Sequence, residues 1–389
     1  MKLMRDKTYV PWKSAEVVED IEETLKTPYQ QITPTNPVKR ISESNPANHT
    51  YQDVGKFYTI PNEDTQHYFQ LAGIPKSFNH LVNIFNENAL MIRKPALEII
   101  EYMKKASYDK LPIKYVIHGD LGTGKRITRL HVLHYAFLND FIVLDIPAAS
   151  LFFKSIRRKD ANISETRPPL IDMPLESAVI LKNFQLQNGE KIEDLKLKTS
   201  KEYVWNLRET TPAGAPLMTL VNHGINRTKY ACDCIDVLVD ELKIAATAGE
   251  IKVLVGIDQF NSFLTGKTKF FVNNAYGVDS RRLSIYQSIL RFLEPNWCGG
   301  AILATVEEKS ALPEDRGSSF PFYLLRREGF ELLDPFIPVE VPKLSEMEFH
   351  SMLDYYEDRR FLQRLGGREE MEFLTARVAR DLRKIVAGL

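Results

Sequence analysis

Between residues 110 and 342 the apolar positions fall into short dense runs separated by longer stretches at helical spacing. IKYVIHG (113–119) is a β-rich run that ends on glycine. ITRLHVLHYAFLND, which follows it closely, carries apolar residues three and four apart, and FIVLDIP then resumes the dense pattern. That succession predicts strand, glycine-rich turn, helix, strand: a βαβ unit. KVLVGID (252–258) and AILATV (301–306) are near-continuous apolar runs, as expected for strands covered on both faces. FIPVEVP (336–342) predicts a further strand. Helices are expected over VNHGINRTKYACDCIDVLVDELKIAAT before the first of these runs and over SIYQSILRFLEP before the second. The pattern is that of a doubly wound, mostly parallel α/β sheet.

The flanks read differently. Residues 1–50 are polar and dotted with proline, predicting an extended arm with one short helix near 14–26. Such an arm orders against something else. Residues 51–110 form a helical N-terminal extension in this reading. Within it, FNHLVNIFNENALMIRKPALEIIEYMKKAS predicts two helices, the second starting near Arg93 or Pro95. Residues 111–342 are the sheet domain, and 343–389 a small helical C-terminal part.

Residues 119–128, GDLGTGKRIT, supply the first chemistry. Gly119, Gly124 and Lys125 have the spacing of a phosphate-binding loop, and the loop follows a strand and opens a helix, as its chemistry requires. Glycines let backbone amides turn toward an anion, and the helix start adds partial positive charge. The expected architecture is therefore P-loop NTPase-like (AAA-like). The predicted nucleotide site is Gly119, Gly122, Thr123, Gly124, Lys125, Arg126 and Ile127. Arg126 stands where a Ser or Thr hydroxyl would hold magnesium; a guanidinium cannot ligate a cation, though it can meet phosphate itself. Thr128 is about 200° around the helix from that position and cannot take over. The second half of such a site is an acid at another strand end, here Asp258, expected to approach magnesium weakly or through water. Its neighbour is Gln259, which cannot act as a base. Together these departures predict a nucleotide that is bound with little or no hydrolysis. No Asn-Lys-x-Asp guanine-reading motif is present.

Composition narrows the partners. The 389 residues are 44% hydrophobic, and 51 basic residues balance 51 acidic ones, whereas a dedicated nucleic-acid binder carries a basic excess. Three cysteines, Cys232, Cys234 and Cys298, make no disulfide framework, and one Cys-x-Cys does not supply four zinc ligands. No run of about 18 apolar residues exists, so no membrane partner is expected. The first residues open basic and become acidic by Glu16, which is not the acid-poor pattern of a transit peptide.

Several stretches outside the loop carry a resemblance. GKFYTIP (55–61), LMIRKPALEII (90–100), MPLESAVILKNF (173–184), KEYVWNLRETTPAGAPL (201–217), GGAI (299–302) and REGFELLDPFIPVEV (327–341) occur in the order and spacing of the death-associated protein three family. The chain resembles that family, a P-loop protein of the mitochondrial small ribosomal subunit, over about residues 45–345. The resemblance implies a GTP- or GDP-binding component of the subunit head, in the mitochondrial matrix. Its implied partners are small-subunit ribosomal proteins, small-subunit rRNA and large-subunit bridge proteins, and the family is also linked to apoptosis. The family's loop has Thr where this chain has Arg126. Arg93, in RKPALE, is a candidate neighbour of the nucleotide by the same resemblance, against a plain reading as a solvated arginine at a helix start.

Other residues carry plainer alternatives. Tyr203 and Trp205 suit either a partner anchor or local core. KSIRRK (154–159) suits RNA phosphate or a solvated face. His118 reads as structural, and Asn226-Arg227-Thr228 as a glycosylation triplet without secretory context. The rival functions are an active AAA-like or signal-transducing NTPase and a nucleotide-switched apoptotic adaptor.

Overall fold

The computed structural model describes residues 36–147, 149–150, 161–266, 268, 271–272, 275–362 and 367–387. The expected helix near 14–26 and the basic stretch 154–159 lie outside the described residues.

In chain order, β1 (Phe57–Thr59) leads into α1 (Asn62–Phe69) and α2 (Lys76–Phe85). β2 (Ala89–Met91) pairs antiparallel with β1, and α3 (Lys94–Lys105) follows with Pro95 in its first turn. Both helices expected around Pro95 are present. β2, between them, was not expected: three apolar residues fit a helical pattern equally well, and only the β1 partner decides for a strand. The central elements are β3 (Ile113–His118), α4 (Lys125–Leu138), β4 (Phe141–Ile146), α5 (Pro174–Asp194), α6 (Leu217–Asn226), α7 (Ala231–Thr247), β5 (Lys252–Ile257), α8 (Ser284–Leu290), β6 (Gly300–Thr305), α9 (Pro321–Leu333) and β7 (Ile337–Glu340). The helix expected through residues 221–247 is two, α6 and α7, separated by a short 3₁₀ turn over Thr228–Tyr230. The chain ends in α10 (Glu346–Asp358), α11 (Arg368–Thr375) and α12 (Ala379–Val386).

β7, β3, β6, β5 and β4 lie side by side in that order, every neighbouring pair parallel. Successive residues of each strand face opposite sides, and both sides are covered. Val116, Ile142, Val253, Val255 and Ile302 pack with α5 to α8 through Leu181, Phe184, Leu220, Leu238 and Ile289. Tyr115, Ile117, Val143, Leu254 and Leu303 pack with α3 and α4 through Ile99, Ile100, Leu130 and Leu133. This double burial is why the strands read as near-continuous apolar runs, and each fully buried aliphatic side chain contributes about 1.5–3 kcal/mol. A third cluster joins the two ends of the described chain, with Phe57, Leu81 and Phe85 against Phe349 and Leu353.

β3 and β4 are consecutive in sequence but lie three positions apart in the sheet, while β7 takes the opposite side of β3. The carboxyl ends of all five strands share one edge, and ligand crevices in such sheets open there, where the strand order reverses.

Candidate functional site

The loop between β3 and α4 has a backbone that needs its glycines. Gly119 has φ +133°, and a Cβ there would lie 2.5 Å from the Val341 carbonyl oxygen just past β7. Gly124, at φ +108°, is the N-cap of α4. The first intrahelical bonds run from the Ile127 and Thr128 amides to the Gly124 carbonyl; the amides before them belong to the helix start that has no intrahelical acceptor. Thr123 does not face outward with its hydroxyl, which donates to the Asp120 carbonyl at 3.0 Å.

Lys125 is buried, and its Nζ folds back to donate to the carbonyls of Gly119 (2.6 Å) and Asp120 (2.8 Å). It also lies 3.5 Å from the Glu307 carboxylate. Glu307 sits two residues beyond β6, anchored by its own backbone: its amide donates to Asn261 Oδ1 and its carbonyl accepts from Asn261 Nδ2. Burial pushes the Glu307 carboxyl above the ordinary carboxylate range, with the Lys125 ammonium opposing. Sequence reasoning missed Glu307. A parallel-strand end next to β3, two residues past a dense apolar run, was the available signal.

Arg126 and Asp258 meet. Arg126 Nε lies 2.8 Å from Asp258 Oδ2, as a charge–charge contact whose N–H is not aimed at the carboxylate. The other oxygen, Oδ1, accepts from the Thr305 hydroxyl at 2.6 Å, and the same hydroxyl accepts from the Gln259 amide at 2.8 Å. Asp258 is buried and does not line the cavity described below, whereas Gln259 and Arg126 do. The sequence expectation was an acid that approaches magnesium weakly or through water; in the structure Asp258 faces a guanidinium and a hydroxyl. Beneath this pair Arg129 is buried against Asp145, and burial lowers its guanidinium to about 10. Gln259 adopts φ +61°, and its buried Oε1 has no hydrogen-bond partner among the described residues.

Arg93 is not solvated. Its NH1 donates to the Thr123 carbonyl at 2.7 Å, its NH2 reaches the carbonyls of Pro342 and Lys343, and its Nε and NH2 together hold the Glu348 carboxylate. It fixes the loop to α10 by binding protein groups.

A cavity of about 370 Å³ opens over the loop, within the range of small-molecule sites. Leu121 to Ile127, Gln259 and Glu307 form its floor. Phe78, Leu81, Phe85 and Tyr355 give it an apolar flank, and Arg380 of α12 stands at its rim. The Arg380 amide donates to the Gly122 carbonyl at 3.1 Å, so the C-terminal helices rest directly on the loop. None of this flank was expected from the sequence. Thr128 lies outside the lining.

The other candidates sit elsewhere. Tyr203 is buried with its hydroxyl on Glu241, and Trp205 donates to Thr211 at 2.9 Å and stacks on His223, so both fill local structure around a hairpin whose Leu207 is fully exposed. Cys232 and Cys234 are buried thiols, the first raised to about 12 by burial, and no metal-binding cluster of His, Cys, Asp or Glu exists among the described residues. His118 is buried beside Phe320.

The chain is 34% identical over 360 residues to the small ribosomal subunit protein mS29 of Bos taurus, covering 91% of this chain and 89% of that protein. It is 33% identical to mS29 of Mus musculus, covering 90% of each. Among solved structures it is similar to the Aeropyrum pernix ORC2 protein in its ADP form, at 16% identity and a TM-score of 0.35 over 79% of this chain and 72% of that one. Residues 90–385, which include the loop, Asp258, Glu307 and Arg380, match the family model of mitochondrial ribosomal death-associated protein 3, and the chain belongs to that family.

Proposed function

We propose that this protein is a structural component of the mitochondrial small ribosomal subunit, in the subunit head and in the matrix, that holds a guanine nucleotide, GTP or GDP, with little or no hydrolysis. The relatives' names as small ribosomal subunit proteins support the assembly. The observation that carries the nucleotide is the buried Lys125 ammonium beside orphan helix-start amides, at the floor of a cavity with an apolar flank. Lys125 rests on Glu307 and on two carbonyls of the same loop that would meet a phosphate. The flank suits a purine ring, and the choice of guanine rests on the family resemblance. Small-subunit proteins, rRNA and large-subunit bridge proteins are the partners this reading requires.

Two experiments test it. Protein purified without added nucleotide is denatured and its supernatant chromatographed; guanine nucleotide is expected, an adenine nucleotide overturns the base assignment, and none at all overturns the site. Native extract is sedimented through sucrose; migration with small subunits is expected, and a wholly soluble protein favours the apoptotic adaptor instead.

A second reading, a slow NTPase, is favoured by one observation. Glu307 faces the cavity with a raised carboxyl, the tuning that general bases use. Phosphate release from GTP that exceeds the Glu307→Gln background supports the NTPase; equal rates support binding alone.

A further inference from the structure

We infer that the site binds nucleotide phosphates without a divalent cation, the Arg126 guanidinium standing in for the metal. This rests on the nucleotide-binding reading above and adds to it a stated independence from magnesium.

The fold leads one to expect magnesium, and the donor set does not fit it. Magnesium needs oxygen ligands in near-octahedral array, usually one or two carboxylates and a hydroxyl beside the phosphates. At the hydroxyl position this chain has Arg126, and the next hydroxyl on the helix, Thr128, lies outside the cavity lining. The strand-end carboxylate, Asp258, is engaged at both oxygens, by Arg126 at 2.8 Å and by Thr305 at 2.6 Å. Arg126 lines the cavity and Asp258 does not, so the guanidinium separates that carboxylate from the space a phosphate would fill. A dication approaching Asp258 would have to displace a fixed cation of the same sign. The two acids that line the cavity are engaged as well: Glu307 faces the Lys125 ammonium, and Glu87 holds Arg40 and Arg359.

What remains suits an anion. Lys125 and Arg126 are adjacent cations at a helix start, and arginine presents a planar set of donors matched to phosphate oxygens. Asp258 holds the guanidinium in place, so little side-chain freedom is lost on binding. Gln259, more than nine-tenths buried and lining the same floor with its Oε1 unpartnered among the described residues, adds a neutral amide that turns to donate or accept. The floor thus carries fixed positive charge where related chemistry relies on a recruited ion.

The test is equilibrium binding of ribose-labelled fluorescent GDP and GTP to the full chain, in magnesium and in EDTA. Wild-type affinity is expected to differ by less than about threefold between the two buffers. Arg126→Thr restores the hydroxyl and uncovers Asp258, and its binding is expected to weaken by about tenfold or more when magnesium is removed. Arg126→Lys keeps the charge and is expected to stay insensitive to EDTA. A wild-type loss of about tenfold in EDTA overturns the inference while leaving nucleotide binding intact. So does an Arg126→Thr variant as indifferent to magnesium as the parent. Wild-type protein that binds in neither buffer overturns the nucleotide reading itself and this inference with it.

Discussion

Arg93 and Glu348 lie 255 residues apart in the chain and meet through two hydrogen bonds, 3.1 and 3.2 Å long, in the interior of the protein. Arg93 is the N-cap of α3 and Glu348 closes the capping box of α10 with Ser345, so one ion pair fixes two helix starts. Arg93 also holds the Thr123 carbonyl, which makes the pair the hinge pin between the phosphate loop and the C-terminal helices.

Removing one partner leaves the other charged and buried. Glu348→Ala is expected to destabilise the protein by about 3–5 kcal/mol. Urea denaturation followed by circular dichroism checks this; a change within about 0.5 kcal/mol, the range of ordinary surface substitutions, would contradict it. Arg93→Ala should lose as much and weaken nucleotide binding too, since the Thr123 carbonyl loses its anchor.

Lys125 has a structural duty before any ligand arrives. Lys125→Ala frees two loop carbonyls and strands Glu307, and is expected to lower stability on the order of 3 kcal/mol without nucleotide. Saturating nucleotide should raise the melting temperature of the parent, by the equivalent of about 4 kcal/mol at a thousandfold excess over Kd, and leave the variant unmoved. Scanning calorimetry with and without GDP separates the two effects.

The raised carboxyl of Glu307 has a direction in pH. A group whose folded pKa lies above its unfolded one binds its proton more tightly in the folded state, so stability is highest below the ordinary carboxylate range and falls as pH rises through it toward the raised value. Glu307→Gln removes that loss. The variant is expected to melt higher than the parent at pH 8 and with a smaller advantage, or none, at pH 4. A constant difference across pH would show that Glu307 does not titrate in this window.

At Gly119 the constraint is steric. A methyl group would lie 2.5 Å from the Val341 carbonyl oxygen, and φ +133° is foreign to other residues. Gly119→Ala is therefore expected to lose about 1–3 kcal/mol by forcing β7 away from β3. Hydrogen exchange should localise the loosening to the amides of Val339 and Val341, the latter bonded to the His118 carbonyl.

The strands over 113–118, 141–146, 252–257 and 300–305 were legible in the sequence because burial on two faces leaves few polar positions within each run. β2 was not legible, since Ala89–Met91 is too short to show a period and owes its form to β1, some thirty residues earlier. The split between α6 and α7 was hidden because Arg227–Tyr230 holds no proline or glycine to mark a break.

The same division holds at the site. The sequence by itself determined the loop, its lysine, the arginine in place of a hydroxyl, and the family, because glycine spacing and local motif order are properties of contiguous residues. Only the tertiary structure decided that Asp258 faces Arg126, that Glu307 meets Lys125, and that Arg93 serves Glu348 and the loop. Those pairings join different strands and opposite ends of the chain, and charged side chains settle their partners by proximity and burial, which one-dimensional order does not encode.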